Sequence, residues 1–168
     1  DMAQARGITY KVDIKGLSSV PPILGNPAEL REALLNIVNN ALDAMPKGGT
    51  LTLRTWIPES PPKAESGGQE DCVLLSISDT GIGMRKEVQK RIFDPFFTTK
   101  GVAGSGLGMS VAYGIITRHG GEISVDSQLD KGSTITIKLP AARLLSEVCS
   151  KRSESSERAS APTGSGGG

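Results

Sequence analysis

Cysteine is almost missing from this chain: Cys72 and Cys149 are the two in 168 residues, and they form no Cys-x-x-Cys pair. That excludes a disulfide framework and a thiolate zinc site, and it fits a reducing compartment. Charge of one sign is missing too, since 19 basic and 18 acidic residues leave a formal charge of +1. Nucleic acid and anionic membrane are therefore not expected partners. No apolar run approaches the ~20 residues of a membrane helix, and the opening DMAQARG lacks the apolar stretch of a signal peptide. A cytoplasmic domain with no membrane contact of its own is the expectation. Histidine occurs once, at His119, and no internal repeat is visible.

What is present reads as one domain of ordinary size, ending in a polar tail. Ile8, Tyr10, Val12 and Ile14 alternate with Thr9, Lys11 and Asp13, the period of a half-buried strand. Asn26-Pro27-Ala28-Glu29 is a helix start. Asn26 caps the first free amides, Pro27 sits where no donor is needed, and Glu29 suits the positive end of the dipole. Leu30, Leu34, Ile37, Ala41 and Ala44 recur at helical spacing until Pro46 and Gly48-Gly49 stop the helix. Strands are expected over 50–57 and 72–78, joined across the breaker-rich loop 58–71, and over 122–127 and 133–139, joined across Gln128 to Gly132. Short and longer helices are expected over 84–92 and 108–119. Beyond Pro140, the segment 142–148 has the pattern of a turn or two of helix, and the Ser- and Gly-rich end has the composition of a flexible linker.

Four stretches carry chemistry, and each has a plain alternative. On the first helix Glu32, Asn36, Asn40 and Asp43 are spaced by four, four and three, which stacks them on one face. Asn competes for backbone partners in mid-helix, so three of them within 36–40 carry a propensity cost. Their amide oxygens suit Mg²⁺; the alternative is a solvated polar face. Asp79, in Asp79-Thr80-Gly81-Ile82-Gly83, is a carboxylate at a strand end among glycines. It either reads an exocyclic amine or closes its own turn. Phe93, Phe96 and Phe97, the chain's three phenylalanines, surround Pro95 and run into Thr98, Thr99 and Lys100. They form either a lid or a staple to the core. Gly104-Ser105-Gly106-Leu107-Gly108 opens a helix whose free amides face an anion, or is a flexible loop. Met109 breaks the dinucleotide spacing G-x-G-x-x-G, and without a Gly-Lys pair there is no Walker A loop. The lone histidine precedes glycine, so a protein-kinase His-Arg-Asp loop is excluded. Taken in order, the four stretches suit ATP.

With these residues in hand, the chain resembles the catalytic, ATP-binding domain of bacterial sensor histidine kinases, in the gyrase, Hsp90, histidine kinase and MutL superfamily. The likeness runs from about Asn26 to Pro140, in the order of that family's N, G1, F and G2 boxes. It implies an α/β fold, a two-layer α+β sandwich in which helices cover one face of a mixed β-sheet. It implies Asn36 and Asn40 as Mg²⁺ ligands near the phosphates and Asp79 as the partner of the adenine amine, with Gly81 and Gly83 shaping that pocket. Phe93 and Phe96 match the F box. Thr98, Thr99 and Lys100 match the lid, and Gly104, Ser105, Gly106, Leu107 and Gly108 match the G2 turn. The catalytic set carried over is Glu32, Asn36 and Lys100, the role of Glu32 being open. A phosphate contact is not transferred to Asp43, because many relatives are basic there.

The resemblance further implies that residues 1–6 end a linker from a missing dimerisation and phosphoacceptor domain, that 7–140 form the ATP-binding domain, and that 141–168 are a tail. The expected partners are ATP and ADP, that missing domain, and a response regulator downstream. His119, in Arg118-His119-Gly120-Gly121, reads as a helix-end residue near the negative pole of the dipole rather than as a phosphoacceptor. The rival function is an ATP-sensing module without transfer, or an anti-sigma-like serine kinase of the same superfamily.

Overall fold

The structure, a computed structural model, describes residues 9–15, 20–58, 72–99 and 106–142. Strands β1 (Tyr10–Lys15), β2 (Gly49–Trp56), β3 (Cys72–Asp79), β4 (Glu122–Gln128) and β5 (Gly132–Pro140) form one mixed sheet in the order β1-β2-β3-β5-β4. β1 runs parallel to β2, and the other pairs are antiparallel. A parallel pair needs a crossover, which α1 (Pro27–Asp43) supplies. The Asn26 side chain caps α1, accepting from the N–H of Ala28 at 2.9 Å and of Glu29 at 3.4 Å.

α1 and α3 (Gly108–Arg118) pack on each other and cover one face of the sheet, α1 against β3 and α3 against β4. Ala33 and Ala112 are wholly buried, small enough to let the two helices approach. Beneath them Ile37, Ile77, Ile116 and Ile137 are almost wholly buried, and truncating any one to Ala costs about 2–5 kcal/mol in such a core. The helices run in opposite directions. The start of α1 meets the end of α3, where Asn26 N–H donates to His119 Nε2 at 3.0 Å and Arg118 reaches Glu29 at 3.3 Å.

The two-layer mixed sheet agrees with the sequence reading, and three details correct it. Of the alternating apolar residues described in β1, Tyr10 is half-buried and packs against the core, but Val12 and Ile14 are 56% and 53% exposed. They lie opposite Leu51 and Leu53, on the helix-covered face, but the helices lie over β3 and β4 and leave the edge strand bare. The helix expected over 84–92 shrinks to α2 (Lys86–Gln89). Met84 is taken by β4 instead, its N–H donating to Ser127 Oγ at 2.8 Å and its carbonyl accepting from Gln89 Nε2 at 3.0 Å. On α1 the periodicity missed Ala33, one of its buried residues, and Met45 just beyond, while Ala44 is only half-buried. The linker 1–6, the loop 59–71, the tail beyond 142, and Lys100, Gly104 and Ser105 lie outside the described residues.

His119 ties two helix ends together, since its Nδ1 also lies 2.8 Å from Ile115 O. We expect His119→Ala to lower unfolding stability by about 1–2 kcal/mol, the worth of one or two net hydrogen bonds. Urea denaturation of both forms measures it, and an unchanged midpoint with an unchanged slope would show the latch to be idle.

Candidate functional site

A cavity of about 400 Å³ opens between α1, the turn after β3, residues 92–99 and the start of α3. Its chemistry changes along its length. Ile82, Met84, Val88 and Ile92 make one part apolar, with Ser133 beside them; Asn36, Asn39, Asn40, Asp43, Thr98 and Thr99 bring polar groups to the rest, where Phe97 and Met109 also border it. Gly106 and Gly108 border it where α3 begins, and there the first N–H groups of a helix lack intrahelical partners.

The apolar part is shaped by the turn 79–84, which is held from both sides. Ile82 N–H donates to Ala44 O at 3.0 Å, and Ile82 O accepts from Asp130 N–H at 2.7 Å. Glycine is required twice in this turn. A Cβ on Gly81 would fall 2.4 Å from Ala44 O, and one on Gly83, where φ is +64°, would fall 1.9 Å from Gln128 O. Asp79 Oδ1 accepts from the N–H of Gly81 at 2.8 Å and of Ser133 at 3.3 Å. Burial pushes its carboxyl above the ordinary carboxylate range, and the two N–H bonds oppose that shift without cancelling it.

The anticipated residues divide by position. Asn36, Asn40, Gly83, Thr98, Thr99, Gly106 and Gly108 line the cavity. Gly81 lies behind the wall, against Ala44. Asp79 opens on a neighbouring polar cavity of about 210 Å³, and Ser133 borders both. Glu32 is exposed on α1 and lies outside both linings. Leu107, the residue before α3, lies outside both linings, its carbonyl accepting from Val111 N–H and Ser110 Oγ, each at 2.9 Å.

The three aromatic rings take different places. Phe97 lines the cavity, whereas Phe93 packs into the core, its ring 5.5 Å from Tyr113, and Phe96 is 76% exposed. Phe96 follows Pro95 with φ at +64°, a left-handed turn that sends its side chain outward. The wall also includes residues the motifs do not single out as site residues, among them Asn39, Phe97, Ser133, Met84, Val88, Ile92 and Met109; for Ser133, its place after Gly132 in a tight hairpin is a usable signal.

A family model described as "Histidine kinase-, DNA gyrase B-, and HSP90-like ATPase" matches residues 25–143. This chain belongs to that family. Membership of this ATPase family implies ATP binding. Relatives include the sensor kinase CckA of Brucella abortus, 41% identical over 134 residues, which are 75% of this chain and 14% of that protein. Sporulation kinase E of Bacillus subtilis is 37% identical over 138 residues, 82% of this chain and 17% of that protein. Among solved structures, full-length ShkA in complex with AMPPNP is similar at 27% identity and a TM-score of 0.65, over 84% of this chain and 27% of that one. The catalytic domain of histidine kinase ThkA shares the fold at 24% identity and a TM-score of 0.65, over 83% and 84% of the two chains. This chain therefore spans about a sixth of the curated relatives named here. No helix among the described residues is long and apolar enough to cross a membrane.

The raised Asp79 carboxyl has a stability consequence. Between the ordinary carboxylate range and its raised folded value, the folded state holds a proton that the unfolded state has released, so stability falls as pH rises through that window. Asp79→Asn should therefore raise the melting temperature of the nucleotide-free domain at pH 7, with the gain shrinking toward pH 4. The same change should weaken ATP binding by about tenfold or more, by replacing an acceptor with a donor. Thermal melts across pH and calorimetric titration read the two effects. A variant no more stable at pH 7 would contradict the burial cost, and unchanged affinity would show that Asp79 makes no contact with the nucleotide.

Proposed function

We propose that this domain binds Mg·ATP and is the catalytic domain of a sensor histidine kinase, passing the γ-phosphoryl group to a histidine on a separate dimerising helical hairpin, with a response regulator downstream in the cytoplasm. The observation that carries the reading is that the amide face of α1 and the start of α3 border one cavity, whose other part is apolar and adjoins, across Ser133, a half-buried carboxylate, Asp79. Apolar walls suit a flat base, and Asp79 with Ser133 suits its amine. The N–H groups at the start of α3, with Thr98 and Thr99, suit phosphate oxygens. Lys100, Gly104 and Ser105 are assigned to the same lid from the sequence.

Asn36 and Asn40 fit Mg²⁺. They stand one helical turn apart on the cavity wall and would offer the ion hard oxygen donors, with phosphate and water oxygens as its other ligands. The ion, when bound, neutralises phosphate charge. The chain's own residues hold and orient the nucleotide: apolar walls exclude water from the base, Asp79 fixes its edge, and α1 and α3 set the phosphate end. Transfer breaks the bond between the γ-phosphorus and its bridging oxygen and forms a phosphorus–nitrogen bond, with ADP leaving. Catalysis of this kind rests on positioning and charge stabilisation.

The acceptor is supplied from outside this domain. His119 has its Nε2 occupied by Asn26 N–H and its Nδ1 by Ile115 O, and it lies eleven residues from Gly108 on α3, about 16 Å along the helix. With γ-labelled ATP, the domain alone should take up no acid-labile label, and a cognate histidine-bearing hairpin added in trans should become labelled weakly, since tethering is lost. Label on the isolated domain would overturn the division of labour. ATP binding with no label on the hairpin would favour the ATP-sensing module. Asn40→Ala should weaken Mg·ATP binding more than metal-free ATP binding in calorimetric titration; equal weakening would take Asn40 off the metal.

A further inference from the structure

Asp43 is the one acidic residue bordering the larger cavity among the described residues, and the register of α1 says what it faces. Asn36 marks the phosphate part, because a Cβ on Gly108 at the start of α3 would lie 3.5 Å from Asn36 Oδ1. Ala44 marks the base part, because its carbonyl accepts the Ile82 N–H at 3.0 Å beside the apolar wall. Asp43 lies seven residues past Asn36, about 10 Å along the axis, and one residue before Ala44. In a nucleoside triphosphate with its phosphates at one mark and its base at the other, the group between them is the pentose.

We propose that Asp43 is the residue that reads the sugar, its carboxylate accepting hydrogen bonds from the ribose hydroxyls and so selecting ribonucleotides over deoxyribonucleotides. The inference rests on the Mg·ATP reading above. Charge agrees with it: an ionised carboxylate only accepts, vicinal hydroxyls are donors, and the same carboxylate against a phosphate would repel it. Burial agrees as well. Asp43 is exposed, whereas Asn36 and Asn40 are half-buried, which puts the carboxylate at the rim, where a sugar leaving a buried base emerges.

The test pairs protein variants with ligand deletions. ATP, 2′-deoxy-ATP and 3′-deoxy-ATP are titrated calorimetrically into the unaltered chain, Asp43→Asn and Asp43→Ala, with and without Mg²⁺. The unaltered chain should prefer ATP to at least one deoxy analogue by about tenfold or more. Asp43→Ala should bring that ratio to within about twofold of one, and Asp43→Asn, which keeps one acceptor, should fall between. Any uniform change in phosphate repulsion cancels in the ratio. Equal binding of all three nucleotides by the unaltered chain overturns the proposal, as does a preference that survives in Asp43→Ala. If Asp43→Ala binds no nucleotide, Asp43→Asn decides, and an undiminished ratio there is a negative result. A loss shared by all three nucleotides and present only with Mg²⁺ would assign Asp43 to the metal instead. Failure of the unaltered chain to bind ATP at all would be the failure of the nucleotide reading itself.

Discussion

The turn after β3 depends on backbone hydrogen bonds from elements far apart in sequence, and the site depends on that turn. Ile82 is gripped through its N–H by Ala44 O at the end of α1 and through its carbonyl by Asp130 N–H in the β4–β5 hairpin. Asp79 adds a third tie, to the N–H of Ser133. Each bond contributes only about 0.5–1.5 kcal/mol net, but together they fix where the apolar wall stands relative to α1. The glycines follow from this constraint: a side chain at Gly81 or Gly83 would meet the Ala44 or Gln128 carbonyl.

A second layer of ties keeps the wall from drifting. Ser127 Oγ accepts the Met84 N–H at 2.8 Å, donates to Gly132 O at 3.0 Å, and lies 2.9 Å from Ser133 Oγ. Gln89 Nε2 joins the Met84 and Ser127 carbonyls at 3.0 and 2.7 Å. This small network leads from α2 through β4 to Ser133, which borders both cavities. It shortens α2 and orders the apolar part of the cavity by the same contacts.

α1 meets two demands at once. Its inner face buries Ala33, Ile37 and Ala41, while its outer flank presents Asn36, Asn39, Asn40 and Asp43 to the cavity. Asn residues in mid-helix sacrifice propensity, and the half-buried Asp79 carboxylate sacrifices solvation. Both costs fall on the cavity flank, and sites that bind polar ligands are where proteins commonly retain such locally unfavourable choices.

Much of this was legible in the sequence because it is local. Periodicity located the strands and the two longer helices, Asn26-Pro27 set the start of α1, and the order of four short motifs pointed to the family and to ATP. The amide face of α1 was readable because helical spacing alone stacks Asn36 on Asn40. What the sequence did not determine were relations between segments. Nothing in the alternation of Val12 and Ile14 says that the helices stop short of the edge strand. Nothing in Phe-Phe says that a left-handed turn at Phe96 sends one ring to solvent and leaves the next on the cavity wall. Nothing in Asp43 says which part of the cavity it borders until Gly108 and Ile82 fix the two ends beside it. Local hydrogen bonding and hydrophobic period are encoded within a few residues, whereas exposure and facing depend on which distant backbone packs above, and that was decided only when the sheet and its two helices closed on one another.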